Sequence, residues 1–163
     1  MHNIIIKKQF LIFNNYKIKS AVGKRGIKLK KKEGDFITPK GSFKILKILY
    51  RRDRIKNFST KIKKIPLKKN MGWCNDPRSK RYNKLISFPF NYSAEKLYKK
   101  NNTYDIILVL NYNMNPVRKN KGSAIFIHLT NNYRKTLGCI ALKKKDFLIL
   151  LKLIKSNTKI KIN

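Results

Sequence analysis

The chain has 163 residues, 42% of them hydrophobic, which suits one domain over 1–163 with a real core. Forty-one Lys plus Arg against seven Asp plus Glu give a net charge of +34, which predicts attraction to polyanions such as nucleic acid, anionic lipid or an acidic wall polymer, or else reflects only the chain-wide bias to Ile, Asn and Lys. No run approaches the ~20 apolar residues of a membrane-spanning helix, and two cysteines are too few for a disulfide framework.

In chain order, the apolar start at Ile4-Ile5-Ile6 is too short for a signal peptide, and no small-residue cleavage site follows. A cytoplasmic protein is expected on that basis, or export by an unrecognised route. Residues 10–13, the pair Asn14-Asn15 and residues 16–22 read as a hairpin. Thr38-Pro39-Lys40-Gly41 reads as a turn, since proline presets φ and glycine supplies the permissive position. Residues 42–50 follow as a strand, although the Lys-Ile-Leu-Lys-Ile-Leu pattern also suits a helix.

Residues 51–91 look irregular, punctuated by Pro66, Gly72, Pro77 and Pro89. Ser93 suits the cap of a short helix over 94–99, with Glu95 in its first turn. Residues 105–110 form the continuous apolar run of a central strand. Residues 124–129 form another; alternation puts Ile125, Ile127 and Leu129 on one face, Phe126 and His128 on the other. Phe147, Leu150, Leu151 and Ile154 have helical spacing, so 146–154 is the best helix, and Leu148, Ile149 and Leu153 widen the face that should be buried. Residues 159–162 add a last edge strand. The sum is a mainly β, β-rich α+β chain with mixed sheets and one or two helices.

Cys139 follows His128 by eleven residues, and each sits in a strand-like apolar run. A thiol of ordinary pKa ~8.5 is only a few per cent thiolate at neutral pH. An imidazole beside it takes the proton and leaves a thiolate–imidazolium pair. Gly138 frees the backbone just before the sulfur, and the amides of Gly138, Cys139 or Ile140 are candidate donors to an oxyanion. Thr136 is a candidate to orient substrate or imidazole. The bland alternatives stand beside this one: a buried Cys as a small core hydrophobe, a strand His as a satisfied structural residue. No further Cys or His lies at metal-ligand spacing from either cysteine, so no metal is expected.

Four blocks in order give the pair a context. They are Glu33-Gly34-Asp35-Phe36-Ile37-Thr38-Pro39-Lys40-Gly41-Ser42-Phe43; Gly72-Trp73-Cys74-Asn75-Asp76-Pro77 with Arg81-Tyr82-Asn83; residues 97–113; and Gly122-Ser123-Ala124-Ile125-Phe126-Ile127-His128 with Gly138-Cys139-Ile140-Ala141-Leu142. Over about 22–151 the chain resembles the L,D-transpeptidase catalytic domain (YkuD-like) family, in its branch of stand-alone domains. The resemblance implies a cysteine acyltransferase of the cell wall with no cofactor. Cys139 is the implied nucleophile and His128 the proton acceptor and donor. Peptidoglycan stem peptides are the implied partners, carbapenem-type compounds the expected inhibitors, a monomer the expected state and the periplasm or cell envelope the implied location.

Many members read S-H-G-C-x-R, where this chain has Thr136, Leu137 and Ala141 at the Ser, second His and Arg positions. Losing the Arg removes a planar bidentate donor for a carboxylate, which Lys143 replaces only as a point charge. Trp73 suits a stacking surface or simple packing, and Asp76 a substrate amine or a turn with Pro77. Tyr82, Asn83, Tyr112 and Asn113 are further candidates for a cleft wall. Two other readings stay open. One is an L,D-carboxypeptidase acting on wall fragments. The other is a non-catalytic basic module gripping nucleic acid or an anionic wall polymer, although no specific nucleic-acid motif accompanies the lysines.

Overall fold

The computed structural model describes residues 3–163; Met1 and His2, where the reading of the N-terminal start begins, lie outside the described residues. Fourteen strands and one helix follow in order: β1 (Ile4–Lys7), β2 (Phe10–Phe13), β3 (Tyr16–Lys19), β4 (Ile27–Lys28), β5 (Thr38–Pro39), β6 (Gly41–Tyr50), β7 (Lys64–Pro66), β8 (Met71–Cys74), β9 (Leu85–Ser87), β10 (Ala94–Lys96), β11 (Ile106–Leu110), β12 (Phe126–Leu129), β13 (Ile140–Leu142), α1 (Lys144–Leu153) and β14 (Lys159–Ile162). The mainly β expectation holds, with one helix rather than two. Among the described residues no helix is long and apolar enough to cross a membrane.

The large sheet runs β13-β12-β11-β6-β14-β1-β2-β3, with β7 also on β6. Its spine is the ten-residue β6. Residues 41–44 pair with β14, and residues 45–50 pair with β11. The Lys-Ile-Leu-Lys-Ile-Leu segment is thus extended, because both its edges find a partner strand. The hairpin β2–β3 forms as expected, with Asn14 at a φ of 51°. Thr38-Pro39 is a correction. It is not the middle of a turn but the short strand β5, parallel to β4, and the backbone changes course at Gly41, whose φ is 147°.

Alternation on the central strands builds two cores. Ile106, Leu108 and Leu110 of β11 and Ile127 and Leu129 of β12 point to a first core shared with β1, β2, β14 and α1. Ile107, Val109 and Phe126 point to a second core with Leu49, Trp73, Leu97 and Tyr104. Both faces of β11 and β12 are therefore covered, which is why β11 reads as a continuous apolar run and β12 departs from one only at His128. The helix buries Phe147, Leu150 and Leu151 as the spacing requires, but Leu153 is 38% exposed, so the wider face is only partly covered.

Two further expectations fail for one physical reason, tertiary pairing. Residues 94–96 are not a capped helix; they form β10, antiparallel to β8 with Glu95 opposite Trp73. Residues 159–162 are not an edge; β14 lies between β6 and β1, with Ile160 and Ile162 fully buried. The irregular 51–91 stretch hides three short strands, and β10-β8-β9 form a separate sheet at the second core.

Candidate active site

β12 and β13 are parallel, with Ile127 opposite Ile140 and His128 opposite Ala141. Residues 130–139 carry the chain back to the start of β12, so Cys139 arrives beside Phe126. The Phe126 amide donates to Cys139 Sγ at 3.4 Å, and Sγ donates to the Ala124 carbonyl at 3.1 Å. Cys139 packs partly buried against the second core, on the strand face that also carries Phe126 and His128. The pairing thus brings together the two residues singled out from the sequence, and both line one cleft of about 820 Å³.

His128 is 8% exposed, and its Nδ1 lies 2.9 Å from the Leu129 carbonyl oxygen. A carbonyl only accepts, so Nδ1 carries the proton and the Nε2 lone pair is left as the base. Burial pulls the imidazole below its ordinary value, and burial pushes the Cys139 thiol up to about 12. The free protein therefore holds a neutral thiol and a neutral imidazole, in place of the thiolate–imidazolium pair expected from the residue types. The cause is burial, which disfavours both charges, while the thiol donates a hydrogen bond to the Ala124 carbonyl. Labelling of Cys139 by iodoacetamide should rise about tenfold per pH unit between pH 7 and 10, following the thiolate fraction. Mass spectrometry reads this directly, and a plateau near pH 8 would reveal a preformed ion pair instead. Cys74, fully buried and unpaired with Cys139, should stay unlabelled under the same conditions.

The turn before the sulfur is fixed from both sides. Gly138 has a φ of 144°, and a Cβ there would lie 3.1 Å from the Ile37 carbonyl oxygen. Thr38 Oγ1 donates to the Gly138 carbonyl at 2.8 Å and accepts from the Gly23 amide. Thr136 lines the cleft, but its hydroxyl is turned to the backbone of the turn. Its Oγ1 accepts from the Gly138 amide at 3.1 Å and donates to the Cys139 carbonyl at 2.5 Å. The Gly138 amide is thereby spent, and Ile140 is a fully buried member of the β13 ladder. Of the three amides considered for an oxyanion, that of Cys139 remains the candidate.

The six side chains proposed for the cleft wall are also corrected: none of them lines the cleft. Trp73 is buried, edge-on to Phe126 at 5.0 Å, and donates from Nε1 to Asn83. Asp76 closes its own turn, accepting from Arg78 and from the Ser93 amide, and these bonds hold its carboxyl well below the usual range. Tyr82 donates to Glu33 and accepts from the Gly122 amide. Asn83 Oδ1 accepts from the Ala124 amide at 3.0 Å, and its Nδ2 donates to the Tyr112 and Asn113 carbonyls. Tyr112 donates to Lys121, and Asn113 bonds the backbone of Arg118 and Gly122. Tyr82, Asn83, Tyr112 and Asn113 fasten the segment leading to Ala124, the residue whose carbonyl holds the thiol. The polar atoms of the six are engaged within the protein rather than turned into the cleft.

Three residues that the sequence did not single out stand at the site instead. Tyr104 packs its ring edge-on to His128, centroids 5.4 Å apart. Its hydroxyl donates to Glu95 Oε1 at 2.8 Å, where Lys99 Nζ also donates at 2.9 Å. The signal was obscured by reading 94–99 as a helix. Arg134 and Lys135 line the cleft, whereas Lys143 lies over the Tyr133 ring outside it. Among the described residues no group of three His, Cys, Asp or Glu side chains is placed to hold a metal ion.

No curated protein matches the chain. Solved structures with a similar course include Bd1075 of Bdellovibrio bacteriovorus (18% identity, TM-score 0.49, covering 99% of this chain and 47% of that one). An L,D-transpeptidase from Mycobacterium smegmatis has 12% identity and a TM-score of 0.43, over 99% and 59% of the two chains. L,D-transpeptidase 1 of Mycobacterium tuberculosis has 11% identity and a TM-score of 0.43, over 99% and 60%. The chain thus spans about half to three fifths of the length of these proteins. The model of the L,D-transpeptidase catalytic domain, YkuD, matches residues 5–162, nearly the whole chain, and the protein belongs to that family.

Proposed function

We propose that the protein is a cysteine acyltransferase acting on peptidoglycan stem peptides, an L,D-transpeptidase that forms 3-3 cross-links at the cell envelope. The observation that carries this reading is the pair itself. Cys139 and His128 share one strand face and one cleft, and His128 keeps Nε2 as a base because Nδ1 is spent on Leu129.

In the first half-reaction His128 Nε2 accepts the thiol proton as Sγ attacks the carbonyl of the third stem residue. The Cys139 amide supports the oxyanion. The C–N bond to the terminal D-Ala breaks, and its nitrogen takes the proton back from His128. In the second, a neutral amine of a neighbouring stem attacks the thioester carbonyl. Its proton passes to His128, the C–S bond breaks, and the thiol is restored.

Incubation with a carbapenem, which mimics the acyl donor, tests the reading by mass spectrometry. An adduct on Cys139 is expected, with none in Cys139→Ala. A wild-type protein left unmodified would sink the proposal. With a stem tetrapeptide as sole substrate, a cross-linked dimer lacking one D-Ala is expected; tripeptide alone would make the enzyme a carboxypeptidase.

A further inference from the structure

The acceptor amine arrives largely as an ammonium ion, and it enters a cleft in a chain of +34. Lys30, Lys99, Arg134 and Lys135 line that cleft, against two carboxylates, Glu33 and Glu95. The chain has only seven acidic residues, so two of them in one cleft is a departure from its composition. Glu33 accepts from the Tyr82 hydroxyl, and no bond or ring contact joins it to Cys139 or His128. Glu95 is tied to the reacting pair. It accepts from Tyr104, whose ring abuts His128, and its charge acts on both His128 and Cys139.

Both hydrogen bonds to Glu95 fall on Oε1, from Tyr104 and Lys99; Oε2 receives none. The Glu95 side chain is 31% exposed. Two donors on one oxygen orient a carboxylate and leave its second oxygen for a further donor. A carboxylate whose only role was to neutralise Lys99 would not need the Tyr104 hydroxyl, and Tyr104 is otherwise a buried core ring.

We infer that Glu95 is the specificity-determining residue for the acceptor: it receives the acceptor's primary ammonium at Oε2 beside the acyl-enzyme, and so favours amine over water. This rests on the acyl-transfer reading above. The docked ammonium releases one proton to solvent, and the neutral amine then attacks the thioester. Its second proton goes to His128 Nε2 as the amide forms and the C–S bond breaks. Glu95 acts before the covalent step, by raising the local concentration of cationic acceptors and excluding anionic ones.

The test compares two nucleophiles on the preformed acyl-enzyme at pH 7. Glycinamide is mostly a cation there, and hydroxylamine is neutral. In Glu95→Gln the ratio of glycinamide to hydroxylamine resolution rates should fall about tenfold or more, the scale of a lost charge-assisted hydrogen bond. Tyr104→Phe keeps the carboxylate, its charge and the Lys99 bond and removes one of the two orienting donors, so the ratio should fall by less than in Glu95→Gln. A ratio unchanged in Glu95→Gln overturns the assignment, as does an equal fall in Tyr104→Phe, which would trace the effect to the Tyr104 hydroxyl rather than to the carboxylate charge. A general loss of packing slows both nucleophiles together and leaves the ratio where it was, which also counts against Glu95. Failure of the wild type to form any acyl-enzyme overturns the acyl-transfer reading, and this inference with it.

Discussion

Replacing His128 by Ala should slow acylation of Cys139 by about 10²- to 10⁴-fold, the usual contribution of a positioned general base. The size follows from the resting state. With the thiol pushed up to about 12, almost no thiolate exists at pH 7, so attack depends on a base that removes the proton as sulfur moves. The thiol must also leave the Ala124 carbonyl, 3.1 Å away, to engage Nε2. The pH profile gives a second readout. The imidazole is lowered from 6.5, so wild-type acylation should hold from pH 7 to 9 and fall only below pH 6.5, as Nε2 is protonated. The variant should lack that acid limb and instead rise about tenfold per pH unit with the thiolate. Carbapenem acylation followed by stopped-flow or mass spectrometry measures both. A variant acylating at the wild-type rate, or keeping the acid limb, would remove His128 from the mechanism.

The sequence disclosed those parts of the fold where periodicity is local. Residues 106–110 are apolar without interruption because both faces are covered, and Phe147, Leu150 and Leu151 repeat at helical spacing because one face is. It misled where long-range pairing decides. Ala94, Glu95 and Lys96 carry good helix formers after a capping serine, yet an open edge at Gly72–Cys74 captures them as a strand. That single error concealed Glu95 and Lys99, which only the strand places by Tyr104. The polar residues Tyr82, Asn83, Tyr112 and Asn113 failed as ligands for a related reason. Asn83 and Asn113 adopt φ values of 58° and 50°, and side chains at such bends serve the surrounding backbone. From sequence a buried bonded amide and a cleft-facing one look alike. His128 and Cys139 were legible through the four blocks that resemble the family, since the eleven-residue spacing by itself fits a structural histidine and a core cysteine equally well.

Asp35→Asn should cost about 3–5 kcal/mol of folding stability, the penalty for stranding a buried charge. Lys30 and Asp35 face each other at 2.5 Å with side chains only 3% exposed each. Burial alone would raise the Asp35 carboxyl, but the Lys30 ammonium and the amides of Lys31, Ile37 and Lys32 outweigh it and hold it at about 2. An amide in its place keeps part of the hydrogen bonding and leaves the Lys30 ammonium buried without its counter-charge. The same loop carries the Ile37 carbonyl that crowds Gly138, and Thr38, which grips the Gly138 carbonyl, so the loss should loosen the turn bearing the nucleophile. The pH dependence has a definite sign. A carboxyl lowered from 3.8 to about 2 stabilises the folded state by about 2 kcal/mol, fully present above pH 4 and lost as pH falls through 2. Urea melts should therefore show a wide gap between wild type and variant at pH 7 that narrows by about that amount between pH 4 and 2. In thermal melts at pH 7 the variant should unfold roughly 10 °C lower. Equal midpoints, or a gap that does not narrow in acid, would show that the Lys30–Asp35 pair does not brace the site.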